Sequence, residues 1–308
     1  MAAPPPPPAA DVIEVTMPGT AFHRERGTQL KEVGFAVGLL AFLSIALLTL
    51  LVLIVDVIVE GAGSLSASFF TETTSRVDPS SSGIAGPITG TIYLMLVCAA
   101  FIIPVGVASA IYLEEYANRE KWFNRAIEVN IQNLAAVPSI VYGVLGLAFL
   151  VRGPLSLGNV VFAGGLTLGL LVLPVVIVAG REAIRAVPPS IREGSMALGA
   201  TKWQTIWKQV LPASIPGIAT GTILALSRAI GEAAPLIVVG AIAFATTSDT
   251  SIFSGTFSAL PIQIFGWTAD ANEAFKPLAA AAIIVLMGIL LAMNAVAIWL
   301  RNRFEQTW

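Results

Sequence analysis

Six stretches of this chain are long and apolar enough to cross a hydrocarbon layer as helices, and that leaves few folds open. A layer about 30 Å thick takes about 20 apolar residues of helix, and residues 35–58, 88–113, 131–151, 157–180, 215–244 and 277–300 all qualify. Charged residues make up 12% of the chain, against about 25% in a typical soluble domain. The pattern predicts an all-α polytopic membrane protein with six transmembrane helices. The net charge of −2 gives no nucleic-acid footprint, and the single Cys98 lies inside a span and cannot build a disulfide framework.

Lysine and arginine concentrate on the cytoplasmic side of membrane proteins. Outside the spans, thirteen fall on one side: Arg24, Arg26, Lys31, Arg119, Lys121, Arg125, Arg181, Arg185, Arg192, Lys202, Lys208, Arg301 and Arg303. The other side has three, Arg76, Arg152 and Lys276. Both termini and the polar insert 181–212 are therefore expected in the cytoplasm, with loops 59–87 and 245–276 outside. The domain reading is a disordered Pro-rich cytoplasmic tail over 1–32, a membrane domain over 33–303 and a short cytoplasmic tail over 304–308. No apolar signal-peptide core precedes the first span.

Insert 181–212 has more internal order than a connection between two spans requires. Ser190 and Glu193 have capping-box spacing, as do Thr201 and Gln204. Gly199 between them can take the left-handed conformation that ends a helix. The expectation is two short helices. The first begins at Ser190, kept apart from span four by Pro188 and Pro189. The second starts at Lys202 and runs toward Pro212, with Trp203, Ile206, Trp207, Val210 and Leu211 on one stripe, suited to lie along the membrane interface.

The spacing Glu193, Gly199, Leu211-Pro212 resembles the EAA-x(3)-G-x(9)-I-x-L-P loop of ABC importer permeases. Gly194 and Ser195 stand in place of the two alanines, and Gln209 in place of the isoleucine. The resemblance implies that the insert is a coupling helix docking on a cytoplasmic ATPase. It puts the contact on residues 190–199, with Ser190, Arg192, Glu193, Ala197 and Gly199 as contact residues.

Span five carries Arg228 and Glu232 near its centre, four residues apart and so on one helix face. Arginine at a span centre costs about 2.5–3.5 kcal/mol on insertion scales and marks a candidate site. Two readings stay open: a self-neutralising pair packed against another subunit, and a guanidinium whose fork binds an oxyanion. The surrounding Ser227-Arg228-Ala229-Ile230-Gly231-Glu232-Ala233-Ala234-Pro235-Leu236 is similar to the signature of phosphate-specific ABC importer permeases of the PstA type. Residues 110–117, 133–143 and 260–264 agree with that family in order, and the resemblance covers roughly residues 84–303. It implies a permease subunit of an ATP-driven phosphate importer, with Arg228 and Glu232 in the substrate path. It also implies a homologous second permease, a dimeric cytoplasmic ABC ATPase and an extracytoplasmic phosphate-binding protein as partners.

No G-x-x-x-x-G-K-[ST] sequence occurs, so ATP and its magnesium are expected on the partner ATPase, with no cofactor, metal site or catalytic residue in this chain. The isolated His23 and Asp56, near the outer end of span one, are not candidates for a site. Tyr112, Tyr116 and Trp122 read as interfacial aromatics, and Pro104, Pro138 and Pro235 as tolerated kinks. Asn133 and Ser139 read as ordinary interhelical polar residues. Competing functions are a permease for sulfate or molybdate, a secondary transporter, or a membrane sensor that recruits a partner through the insert.

Overall fold

The computed structural model describes residues 26–118, 120–245 and 251–304. Residues 1–25 of the tail expected over 1–32 and residues 305–308 lie outside them, while residues 26–32 are helical. The chain divides into two compact units, residues 1–54 and 55–308. The described part of the first unit belongs to α1, Arg26–Gly61, which is apolar on every face and exposed along nearly its whole length from Val33. A helix with no polar side suits lipid or another membrane helix on all sides.

In the second unit a short α2, Ala67–Thr71, leads to α3, Ala85–Ile111, which widens into a π-type turn at Tyr112–Tyr116. Next come α4, Trp122–Ala135, α5, Ser139–Leu145, and α6, Val161–Arg185. The insert forms α7, Pro189–Ala197, and α8, Lys202–Thr205. The chain ends with α9, Leu211–Ile230, α10, Ala234–Val239, α11, Leu260–Thr268, and α12, Lys276–Phe304. All regular elements among the described residues are helical. Among the described residues five helices are long and apolar enough to span a membrane, and a sixth if α4 and α5 count as one broken span.

The centre of the bundle is α6 packed between α3 and α9. A Cβ added to Gly165 or Gly106 would meet Val97 or Val176 at 2.7 Å, and one on Gly221 would meet Ala179 at 2.3 Å. Apolar side chains gain nothing by moving from lipid to protein, so close backbone approach through small residues supplies the association by van der Waals contact. Leu94, Ile102, Leu168, Val172, Ala225 and Ala229 fill the seam.

Three expected elements differ in the structure. Span three is not straight: α4 and α5 meet at 109° around Ala136-Val137-Pro138, because Pro138 has no N–H to extend the helical ladder and disfavours helix at the residue before it. Span five, expected over 215–244, begins earlier and stops earlier. The helix from Lys202 continues through a π-type turn at Ile206–Val210 into α9 and ends at Ile230. The second helix of the insert is thus the beginning of span five, not a separate interfacial helix. Pro212 falls in the first turn of α9, just past the π-type turn where the four-residue ladder is already interrupted.

The third difference is in the last loop between spans. The loop expected over 245–276 contains α11, which is mostly buried. Trp267 lies between Phe69 and Phe275, with ring centroids 6.2 and 6.5 Å away. The Thr91 hydroxyl accepts from the Leu260 N–H at 2.9 Å. Gln263, fully buried, accepts from the Phe244 N–H at 2.9 Å and fixes that residue at φ +62.

Candidate functional site

The capping residues that define the insert behave differently from one another. Thr201 forms its box: its hydroxyl accepts from the Gln204 N–H at 3.3 Å, and the Gln204 side chain accepts from the Thr201 N–H at 2.9 Å. The box expected at Ser190 does not form. Pro188 occupies the cap position and Pro189 the first turn, so Ser190 is already inside α7 and makes no cap hydrogen bond. Proline is pre-organised for a helix start and has no N–H to leave unpaired, and here it displaces the cap by two residues. Gly199 is left-handed, φ +87, with open space around its α-carbon.

Of the residues assigned to ATPase contact, Ser190, Glu193, Ala197 and Gly199 are exposed together with Met196 and Leu198, the last 92% exposed. They form the free tip of the insert. Arg192 points the other way. Its guanidinium donates to Glu115 Oε1 at 3.0 Å, to the Ile184 carbonyl at 2.7 Å and to the Val187 carbonyl at 2.5 Å.

Behind the insert lies an ionic cluster that sequence reasoning did not assemble. Arg181, 8% exposed at its side chain, contacts Glu128 at 2.9 Å and Glu114 at 3.6 Å. Arg185 sits forked on Glu114, with Nε–Oε1 at 3.1 Å and Nη2–Oε2 at 3.0 Å. The signal was available as adjacent acids Glu114-Glu115 ending one span and Arg181 and Arg185 one turn apart ending another. Their pairing depends on α3 and α6 running parallel side by side, with Gly106 at Val176 and Gly180 at Ala110, so that the two charged ends meet.

The charged pair of span five sits at the end of α9. Pro235 cannot donate to the Gly231 carbonyl, so the helix stops. The Gly231 and Glu232 N–H groups instead close tight turns onto the Arg228 and Ala229 carbonyls, both at 3.2 Å. An added Cβ shows Gly217 against Ala183 and Gly221 against Ala179. Extending that antiparallel register places Arg228 level with Val172, close to the middle of α6. Arg228 therefore sits half-way along α6 although its own helix ends there. Arg228 Nε lies 3.5 Å from Glu232 Oε1, with the side chains 46% and 21% exposed. That is longer than an N–H···O hydrogen bond, and the Arg228 side chain makes no hydrogen bond among the described residues.

Around this pair two breaks come together. The helix α10 packs on α5, where a Cβ on Gly143 would meet Pro235 Cα at 2.8 Å. Tyr142 donates its hydroxyl to the Leu134 carbonyl at 2.8 Å, bracing the α4–α5 bend. On the other flank Ser227 donates to Asn294 Oδ1 at 3.1 Å, fastening α9 to α12. Asn294, missed in the sequence, was visible as a lone amide in an apolar helix. Asn133 and Ser139 lie beside the bend, the first exposed and the second half-buried.

Residues 102–307 match the family described as binding-protein-dependent transport system inner membrane component. The chain belongs to that family. It is 32% identical over 219 residues to phosphate transport system permease protein PstA 1 of Mycobacterium tuberculosis (strain ATCC 25618 / H37Rv), covering 71% of this chain and 70% of that one. It is 30% identical over 261 residues to PstA of Yersinia pestis, covering 84% and 85%. The probable ABC transporter permease protein YqgI of Bacillus subtilis (strain 168) is 30% identical over 258 residues, covering 79% and 86%. Two solved structures share the fold. An inward-facing MetNI methionine ABC transporter has TM-score 0.56 at 16% identity, covering 73% of this chain and 95% of that one. A bacterial ABC transporter involved in the import of alginate has TM-score 0.54 at 16% identity, covering 90% and 99%. The chain is a multi-pass permease subunit of an ABC importer, a transport protein and not a catalyst.

Proposed function

We propose that this permease carries inorganic phosphate, with Arg228 and Glu232 in the path. The observation that carries the reading is the loose, partly exposed Arg228–Glu232 pair at a helix break half-way up α6. A guanidinium there, weakly engaged by its own carboxylate, presents a fork that matches a tetrahedral oxyanion. Glu232 stabilises the charge while the path is empty and reclaims it when the anion leaves. Relatives named as phosphate transport permeases support phosphate as that anion.

The same reading assigns the partners. The exposed tip of α7 docks a dimeric cytoplasmic ATPase, which binds ATP and magnesium. A homologous second permease completes the path, and an extracytoplasmic binding protein delivers phosphate from the side opposite the insert. Both termini lie in the cytoplasm, as the thirteen-to-three distribution of basic residues supports.

The test is uptake into liposomes by the assembled complex. Vanadate-sensitive phosphate uptake is expected. Arg228→Lys keeps the charge but not the fork, and should weaken the apparent phosphate affinity by about tenfold or more. Wild-type affinity in that variant would remove the bidentate role. Competition of labelled phosphate by sulfate or molybdate, stronger than by phosphate itself, would reassign the cargo.

A further inference from the structure

Both helices of the insert are tied to the same residue of the bundle. Glu115, in the π-type turn that ends α3, receives Arg192 of α7 on its side chain at 3.0 Å and Lys202 of α8 on its backbone carbonyl. The Lys202 ammonium also lies 4.9 Å from the centre of the neighbouring Tyr116 ring. Inside the insert, the Ser195 and Thr205 hydroxyls pair at 2.9 Å and tie α7 to α8. The insert is thus internally braced and held from both of its helices by the same point on α3.

The adjacent Glu114 faces the other way and holds Arg185 and Arg181 of α6. Arg192 completes the junction by capping the end of α6, taking as acceptors the Ile184 carbonyl of its last turn and the Val187 carbonyl just past it. Side chains at Glu115 and Arg192 are 9% and 20% exposed, unlike surface ion pairs, whose charges are well solvated and worth little. Beyond them Glu193, Met196, Ala197, Leu198 and Gly199 are exposed and carry no ion pair among the described residues, so this tip is free to be gripped.

We propose that the Arg192–Glu115 pair is a coupling clasp. It makes α7 move as one body with the cytoplasmic ends of α3 and α6, so that a displacement imposed on the exposed tip reaches the helices packed around Arg228. Arg192 is then a positioning residue within this chain, not an ATPase contact. This rests on the docking of an ATPase described above, and the measurement of the clasp itself does not depend on which anion is carried.

Transport, hydrolysis and co-purification use the unlabelled assembled complex. Because Met196 lies in the docking tip, label separation is read separately in a Cys98→Ser background, with spin labels at Met196 of α7 and at Tyr112, in the π-type turn that ends α3. Arg192→Gln, Glu115→Gln and the double variant are compared with the parent. The parent should give one narrow label separation, and each single variant a broadened one. In liposomes each single variant should transport about fivefold less phosphate per ATP hydrolysed, with the double no worse than either single. ATPase co-purification and hydrolysis should stay within about twofold of the parent in all three. The clasp is overturned by an unchanged label separation in both single variants, or by losses that add in the double. It is equally overturned if Arg192→Gln releases the ATPase while Glu115→Gln does not, which would make Arg192 a direct contact. A parent complex that hydrolyses ATP without moving phosphate overturns the cargo reading alone, because the label separations still decide the clasp.

Discussion

Two interruptions of helix, one at Gly199 between α7 and α8 and one at Gly231-Glu232-Ala233 between α9 and α10, look alike in sequence and differ in cause. At Gly199 the backbone itself makes the turn: φ is +87, and no atom lies within 4 Å of where a Cβ would stand. At Gly231 φ is an ordinary −80, and the helix stops because Pro235 cannot supply the next hydrogen bond. The first break lies outside the bundle and shapes a surface that a partner can grip. The second lies level with the middle of α6 and displays a charge pair where lipid or protein would otherwise be apolar. A glycine is therefore indispensable at one break and incidental at the other.

The largest expected effect comes from removing the charge that the inner break displays. Glu232→Gln leaves Arg228 without its carboxylate, so phosphate should hold the guanidinium longer. Turnover should fall about tenfold, the equivalent of a lost interaction near 1.4 kcal/mol, while KM stays level or falls. Uptake kinetics in liposomes measure both. Wild-type turnover would place Glu232 outside the path and leave the break as packing only.

The next effect separates the two glycines. Gly199→Ala forces an L side chain into the left-handed region at a cost of about 1–2 kcal/mol, and should weaken ATPase co-purification severalfold by reshaping the α7 tip. Gly231→Ala meets only the Arg228 carbonyl at 3.7 Å and should change stability by no more than about 0.5 kcal/mol. Equal losses in thermal unfolding and co-purification would mean that the inner break also depends on its glycine.

What could be read from the sequence follows the range of the forces involved. Helical content, the approximate spans and the insert came from hydrophobic length and local capping signals. The Thr201 box and the Gly199 turn are local too, and both are present. The breaks in spans three and five were misread because Pro138 and Pro235 can either kink a helix or end it. The outcome depends on whether neighbours accept the freed backbone groups, as Tyr142 does for the Leu134 carbonyl. The Glu114, Glu115, Arg181 and Arg192 cluster joins residues up to 77 positions apart, and no local pattern reports such a pairing. Arg228 and Glu232 were legible because charge in an apolar run is conspicuous wherever the chain bends. The burial of α11 was not legible, since a loop containing Leu260, Ile262 and Trp267 reads the same whether it folds inward or not.

The smallest expected effect concerns the two capping signatures that bracket Gly199. They have the same form, yet Thr201 caps its helix and Ser190 does not, because Pro188-Pro189 starts α7 first. Thr201→Ala should cost about 1 kcal/mol of local stability at the start of α8, and Ser190→Ala no more than about 0.5 kcal/mol. Hydrogen exchange of the Gln204 amide reads the first directly: its hydrogen bond to the Thr201 hydroxyl is gone, so protection should drop about fivefold. Since Lys202 of the same turn reaches Glu115, a larger drop spreading to the α3 end would show that the cap also supports the clasp. If Ser190→Ala instead matched Thr201→Ala in its effect on amides of the first turn of α7, the proline start would have to be a weaker stop than the structure indicates.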